Sequence, residues 1–247
     1  MFEVHEKIAC VTGASSGLGR FAAGLLAASG ARVVGVARRV EHLDEWQKET
    51  QGETAQVVAD LSNRAGLAEV AQNVTAQFGP PDILINAAGI NTRENADHVT
   101  PEGWDQTMNL NLAAPFFLAQ ALVPGMRAKG WGRIVNFASL QSRRAFVNGV
   151  SYGASKGGVE QMTRAMAEAW SRHGVTANAL APGFFRTELT GPVFEDKVAA
   201  QRLADQTCIG RNGDVQDLAG PLLFFCSEAS AYVTGQLLFV DGGFTAK

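Results

Sequence analysis

The chain has 247 residues, 46% of them hydrophobic and 18% charged, with a formal net charge of -3. That length and even composition suit a single α/β domain over 1–247 with a sizeable core, and the charge leaves no basic footprint for nucleic acid. No apolar run approaches the ~18 residues of a membrane span, the start lacks a signal-peptide pattern, and Cys10, Cys208 and Cys226 are scattered. A water-soluble protein of a reducing cytoplasm is expected, without disulfides.

The first predicted strand, KIACVT at 7–12, runs into VTGASSGLGR, which places Gly13, Gly17 and Gly19 before an alanine-rich helix marked by Phe21, Leu25 and Ala28. Strand, glycines and helix start are how α/β folds take up a pyrophosphate: the phosphates approach bare backbone and meet the free N–H groups of the helix. The spacing is Gly-x-x-x-Gly-x-Gly, and no Gly-Lys-Ser/Thr follows, which excludes a P-loop. A tight strand-to-helix turn without a ligand is the plain alternative.

The second strand, ARVVGVA at 31–37, ends on Ala37, where NAD-binding folds carry an acid for the ribose hydroxyls. Arg38 and Arg39 follow. Guanidinium groups in place of a carboxylate suit a 2′-phosphate and so NADP, although two arginines at a strand end can also be a solvated edge.

Further strands are TAQVVA at 54–59, DILINA at 82–87, GRIVNFAS at 132–139, VTANALA at 175–181 and GQLLFVD at 235–241. Helical spacing separates most of them, as in Val159, Met162, Met166 and Trp170. Seven apolar strands alternating with helices imply right-handed crossovers and a doubly wound parallel α/β sheet of the Rossmann type. The stretch 183–212 reads as an irregular insertion, and Pro221 should kink or restart the helix expected around DVQDLAGPLLFFCS.

Ser139 ends the fifth strand, where parallel sheets open their ligand crevice. Its hydroxyl could hold a substrate oxygen, or it could be a turn residue. Soon after, SYGASK puts Tyr152 and Lys156 one helical turn apart, so an ammonium could favour the phenolate of a group whose pKa is ordinarily roughly 10. A surface pair is the alternative.

These motifs together resemble the short-chain dehydrogenase/reductase family over nearly the whole chain: TGASSGLG at 12–19, NAAG at 86–89, Ser139 with YGASK at 152–156, and PGFFRT at 182–187. The resemblance implies that Tyr152 is the general acid/base and that Ser139 orients the carbonyl. It implies that Lys156 lowers the tyrosine pKa and binds the nicotinamide ribose. Asn111, in MNLNLAAPFF, would hold a relay water, with Asn109 as a rival. For the cofactor it implies Gly13, Ser15, Ser16, Gly17, Leu18 and Gly19 at the phosphates, with Arg38 and Arg39 at the 2′-phosphate. Asp60 and Leu61 would meet the adenine and Asn86, Ala87, Ala88 and Gly89 the adenosine half. Pro182, Gly183, Phe185 and Thr187 would hold the nicotinamide end.

Ser16 stands where NADP-binding relatives often have a basic residue, which keeps NAD open. The resemblance also implies a homotetramer. No metal is expected, since His5, His42, His98 and His173 share no ligand spacing.

APGFFRTELTGPVF and GINTR resemble the gluconate 5-dehydrogenase branch, which oxidises sugar acids reversibly at a secondary alcohol; acyl-carrier reductases are the alternative. Arg93, Arg143 and Arg144 are candidates to pair with a substrate carboxylate. A non-catalytic cofactor-binding regulator is a third reading. The presence of Asn111, Ser139, Tyr152 and Lys156 together argues against it.

Overall fold

Seven parallel strands, β1 (Ile8–Thr12), β2 (Arg32–Ala37), β3 (Thr54–Val58), β4 (Ile83–Asn86), β5 (Gly132–Phe137), β6 (Val175–Pro182) and β7 (Leu237–Val240), form one sheet in the order 3-2-1-4-5-6-7. Each coincides with its expected apolar run. The computed structural model describes residues 2–247. β1, β4, β5 and β6 are buried along their whole length, because helices cover both faces; polar residues within them, such as Thr12, Asn86 and Asn136, are buried too and hydrogen-bonded.

On one face Ala9, Val11, Val33 and Ile85 meet α1 (Gly17–Ala28), α2 (Val40–Glu49) and α9 (Ala219–Cys226). On the other, Cys10, Val34, Leu84 and Ile134 meet α3 (Leu67–Phe78), α5 (Ala114–Lys129) and α6 (Val150–Trp170). Full burial of each valine, leucine and isoleucine among them contributes roughly 1.5 to 3 kcal/mol.

The inner face of α1 includes Ala22, Ala23, Leu26 and Ala27; it lies one position on from the expected Phe21 and Leu25, and the expected Ala28 is exposed. Alanine allows the helix to lie close on the sheet, while Phe21 and Leu25 pack at its border. In α6 the expected face holds: Val159 and Met166 are buried, and Met162 and Trp170 pack beside them.

α4 (Pro101–Met108) passes into α5 through a π turn at Asn109–Ala113, which no propensity marked. The stretch 183–212 is less irregular than expected, for it contains α7 (Gly191–Glu195) and α8 (Lys197–Asp205). Asp196 starts α8 by accepting the N–H groups of Val198 and Ala199. Pro221 marks a restart of the helix, as one of the two expectations had it, and does not kink α9. It falls in the first turn, after a 3-10 turn at Val215–Leu218, where its missing N–H costs no helical bond. Among the described residues no helix is long and apolar enough to cross a membrane.

Candidate active site

From β1 the chain winds outward to β3, then returns to place β4 against the other edge of β1. Such a reversal leaves a crevice at the carboxyl ends of the two strands. Thr12 staples it: its hydroxyl accepts the N–H groups of Ala87 and Ala88, each at 3.1 Å, and donates to the Ile85 carbonyl. A Cβ on Gly13 would stand 3.0 Å from the Ala88 backbone, and one on Gly19 would stand 2.3 Å from the Gly13 carbonyl oxygen. These two glycines are therefore demanded first by the chain's own backbone, and only through it by a ligand.

The crevice deepens into a cavity of about 790 Å³. At one end Ser16 begins α1 without a side-chain cap, and no acid occupies the first turn, so the helix turns uncompensated N–H groups toward the cavity. Asp60 and Leu61 form the neighbouring wall. The N–H of Ser62 holds the Asp60 carboxyl below the usual range, against burial, with smaller pulls from the Ser62 hydroxyl and from Arg38.

Arg38 is exposed and makes no hydrogen bond or ion pair among the described residues. Arg39 is engaged: its guanidinium reaches both carboxylate oxygens of Glu188, at 2.9 and 3.3 Å, and the Ser15 hydroxyl at 3.3 Å. Glycine cradle, free helix N-terminus and spare cation fit a dinucleotide with an additional phosphate.

At the other end stand Ser139, Tyr152 and Lys156. Ser139 is a turn residue at the cavity wall. Its oxygen accepts the Gln141 N–H at 3.1 Å, capping a 3-10 turn, and its hydroxyl still borders the cavity. Burial pushes the Tyr152 phenol above its ordinary pKa, while a hydrogen bond with Ser139 and the charge of Arg93, rather than the expected Lys156, pull it back.

The Lys156 ammonium lies 5.7 Å from the Tyr152 ring centre and donates to the Phe137 carbonyl at 2.6 Å. Burial lowers its pKa to about 8.

Asn111 stands behind this group. Its amide makes two bonds with the Ile90 backbone, both at 2.9 Å, and a third to Ser155, whose hydroxyl donates to the Tyr152 carbonyl at 2.7 Å. The π turn carries Asn111, and the rival Asn109 makes none of these bonds.

A family profile described as enoyl-(acyl carrier protein) reductase matches residues 13–245. Gluconate 5-dehydrogenase of Gluconobacter oxydans is 39% identical, over 99% of this chain and 97% of its own. The chain belongs to the short-chain dehydrogenase/reductase family.

A solved gluconate 5-dehydrogenase of Burkholderia cenocepacia, in complex with NADP and tartrate, superposes with a TM-score of 0.94 at 36% identity, covering 100% of this chain and 98% of that one. A 3-oxoacyl-[acyl-carrier-protein] reductase of Vibrio cholerae is 37% identical over 97% of this chain and 98% of its own. As a short-chain dehydrogenase/reductase, the protein is an NAD(P)(H)-dependent oxidoreductase that interconverts a secondary alcohol and a ketone.

The cavity gathers most residues that the family motifs marked: Gly13, Ser15 to Gly19, Arg38, Arg39, Ala87 to Gly89, Pro182 to Phe185, and Thr187. Asn86 departs from expectation. It is buried within the sheet, donating to Asn136 at 2.8 Å, and does not border the cavity. The Phe185 ring turns inward against Gly213, leaving chiefly its backbone for the site.

Glu188 and Gln141 border the cavity without having been marked. The position of Gln141, two after Ser139 at a strand end, was the available signal. Glu188 had none, because its partner lies 149 residues away.

Proposed function

We propose that the protein oxidises and reduces a sugar acid such as gluconate at a secondary alcohol, with NADP(H) preferred. Arg93 carries the substrate reading. Of the three candidate arginines it alone borders the cavity. Arg143 is spent on Glu160 at 2.6 Å, and Arg144 lies over the Phe244 ring.

Asn91 accepts the Arg93 N–H, the residue adopts a φ of 54°, and the guanidinium donates to the Leu189 carbonyl at 2.6 Å, near enough to Tyr152 to act on its phenol. A substrate carboxylate paired there would hold a neighbouring carbinol beside Ser139 and Tyr152.

In this reading Tyr152 exchanges the alcohol proton, Ser139 donates to the substrate oxygen, and Lys156 holds the cofactor's nicotinamide ribose, with Asn111 and Ser155 fixing the loop and helix around it. The nicotinamide, when bound, gives or takes the hydride.

Arg93→Ala should raise KM for gluconate about 10- to 150-fold, the equivalent of one charge-assisted hydrogen bond, and leave an uncharged polyol nearly unaffected. Equal losses on both would remove the carboxylate role. The acyl-carrier reading has its own support in Phe146 and Phe184, which form an apolar part of the wall. Faster reduction of an uncharged β-keto ester than of a keto-sugar acid would favour it.

For the cofactor, Ala37 removes the repelling carboxylate and Arg38 supplies an unpaired cation. Ala37→Asp should weaken NADP(H) and improve NAD(H). Arg38→Ala should weaken NADP(H) alone, toward the lower end of about 10- to 150-fold because the site is exposed. Wild-type titrations showing NADH bound as tightly as NADPH would reverse this preference.

We further propose that the protein assembles as a homotetramer and acts in the cytoplasm. Exposed Trp104 on α4, Phe117 on α5 and Leu238 on β7 supply apolar surface for that assembly.

A further inference from the structure

Two consecutive residues of the loop after β6 are held from opposite ends of the cavity. Arg39, at the adenosine end, grips the Glu188 side chain at 2.9 and 3.3 Å; Arg93, at the catalytic end, grips the Leu189 carbonyl at 2.6 Å. The loop thus lies as a strap between the two sites. Glu188 sits among groups suited to a phosphate, for Arg39 also reaches Ser15, and Ser16 is near enough to pull on the same carboxylate. Hydrogen bonding from Arg39 is the largest influence holding the Glu188 carboxyl below the usual range, followed by opposing burial and then by Ser16.

We propose that Glu188 is a positioning residue for cofactor selectivity: it neutralises Arg39, and a 2′-phosphate binds there by taking the guanidinium from it and releasing the strap. Arg38, which makes no ion pair among the described residues, is then the cation left open to an incoming cofactor just after the second strand. This rests on the proposed use of NADP(H). NAD(H), with no phosphate at that point, has nothing to exchange for the ion pair.

The test is equilibrium binding of NADPH and NADH to the parent, Glu188→Gln, Glu188→Asp, Arg39→Ala and the double variant Arg39→Ala/Glu188→Gln, at low salt. The pair is half-exposed, with side-chain exposures of 42% and 57%. Its loss should therefore raise the ratio of the NADH to the NADPH dissociation constant by about 1.5- to 5-fold. Glu188→Asp, which keeps the charge, should gain less. In the Arg39→Ala background the gain should vanish, an outcome that a merely structural role for Glu188 would not produce. Hydrogen exchange at 186–190 should rise on adding NADPH more than on adding NADH.

An unchanged or lower ratio in Glu188→Gln, or a gain that survives without Arg39, would overturn the proposal. A parent without NADPH preference, combined with a preference unmasked by Glu188→Gln, would remove the cofactor reading and leave this one standing.

Discussion

Replacing Tyr152 by phenylalanine is expected to lower kcat by about 10²- to 10⁴-fold, the range that a positioned general acid/base supplies. The cofactor dissociation constant should stay within about twofold, because the change removes one hydroxyl and keeps the ring volume. Folding should not suffer, since burial already disfavours charge on that oxygen. Steady-state rates with a fluorescence titration of NADPH on the same preparation separate the two quantities. Turnover within tenfold of the parent would assign the proton to another group.

Lys156→Met should part activity from stability. Folding lowers the ammonium's pKa from 10.5 to about 8, so the unfolded chain holds more protons between those values. The lysine therefore costs stability in full below about pH 8, by ~3 kcal/mol, and the cost fades as the pH rises toward 10.5. Methionine fills similar space without that cost but forfeits the bond to the Phe137 carbonyl, worth about 1 to 3 kcal/mol.

At pH 7 the variant should match or exceed the parent's unfolding free energy, and the rise in stability between about pH 8 and 10.5 should disappear. Its rate should fall at least about 100-fold with weakened cofactor binding. Denaturant unfolding at pH 7 and pH 10 checks the first part. A variant clearly less stable than the parent at pH 7 would mean that the buried ammonium is not a burden to the fold.

The strands were legible because parallel strands buried on both faces read as largely apolar runs rich in β-branched residues. The face of α1 was off by one residue, since Ala22 and Ala23 carry little apolar weight yet permit the closest approach. Ser139, Tyr152 and Lys156 were legible from strand end and helical spacing. Asn86 was not, for a motif names a residue without saying which way its side chain turns, and here it turns to Asn136. The glycines were legible as a cradle, but Gly13 and Gly19 answer first to neighbouring backbone. The Arg39–Glu188 pair lay beyond reading, because residues so far apart meet only after the sheet has formed.

The π turn at Asn109–Ala113 sets a phase. An α-helix advances about 100° per residue, so one extra residue in a turn rotates everything beyond it by that angle without breaking the helix. Within the wide turn Asn111 reaches the Ile90 backbone beside the crevice; downstream, Leu118, Leu122 and Met126 lie against the sheet. With a regular turn there, either Asn111 would swing away from Ile90 or those three side chains would leave the core. A single surplus residue thus reconciles two angular demands on one continuous rod, and a one-residue deletion anywhere in 109–113 would set them against each other.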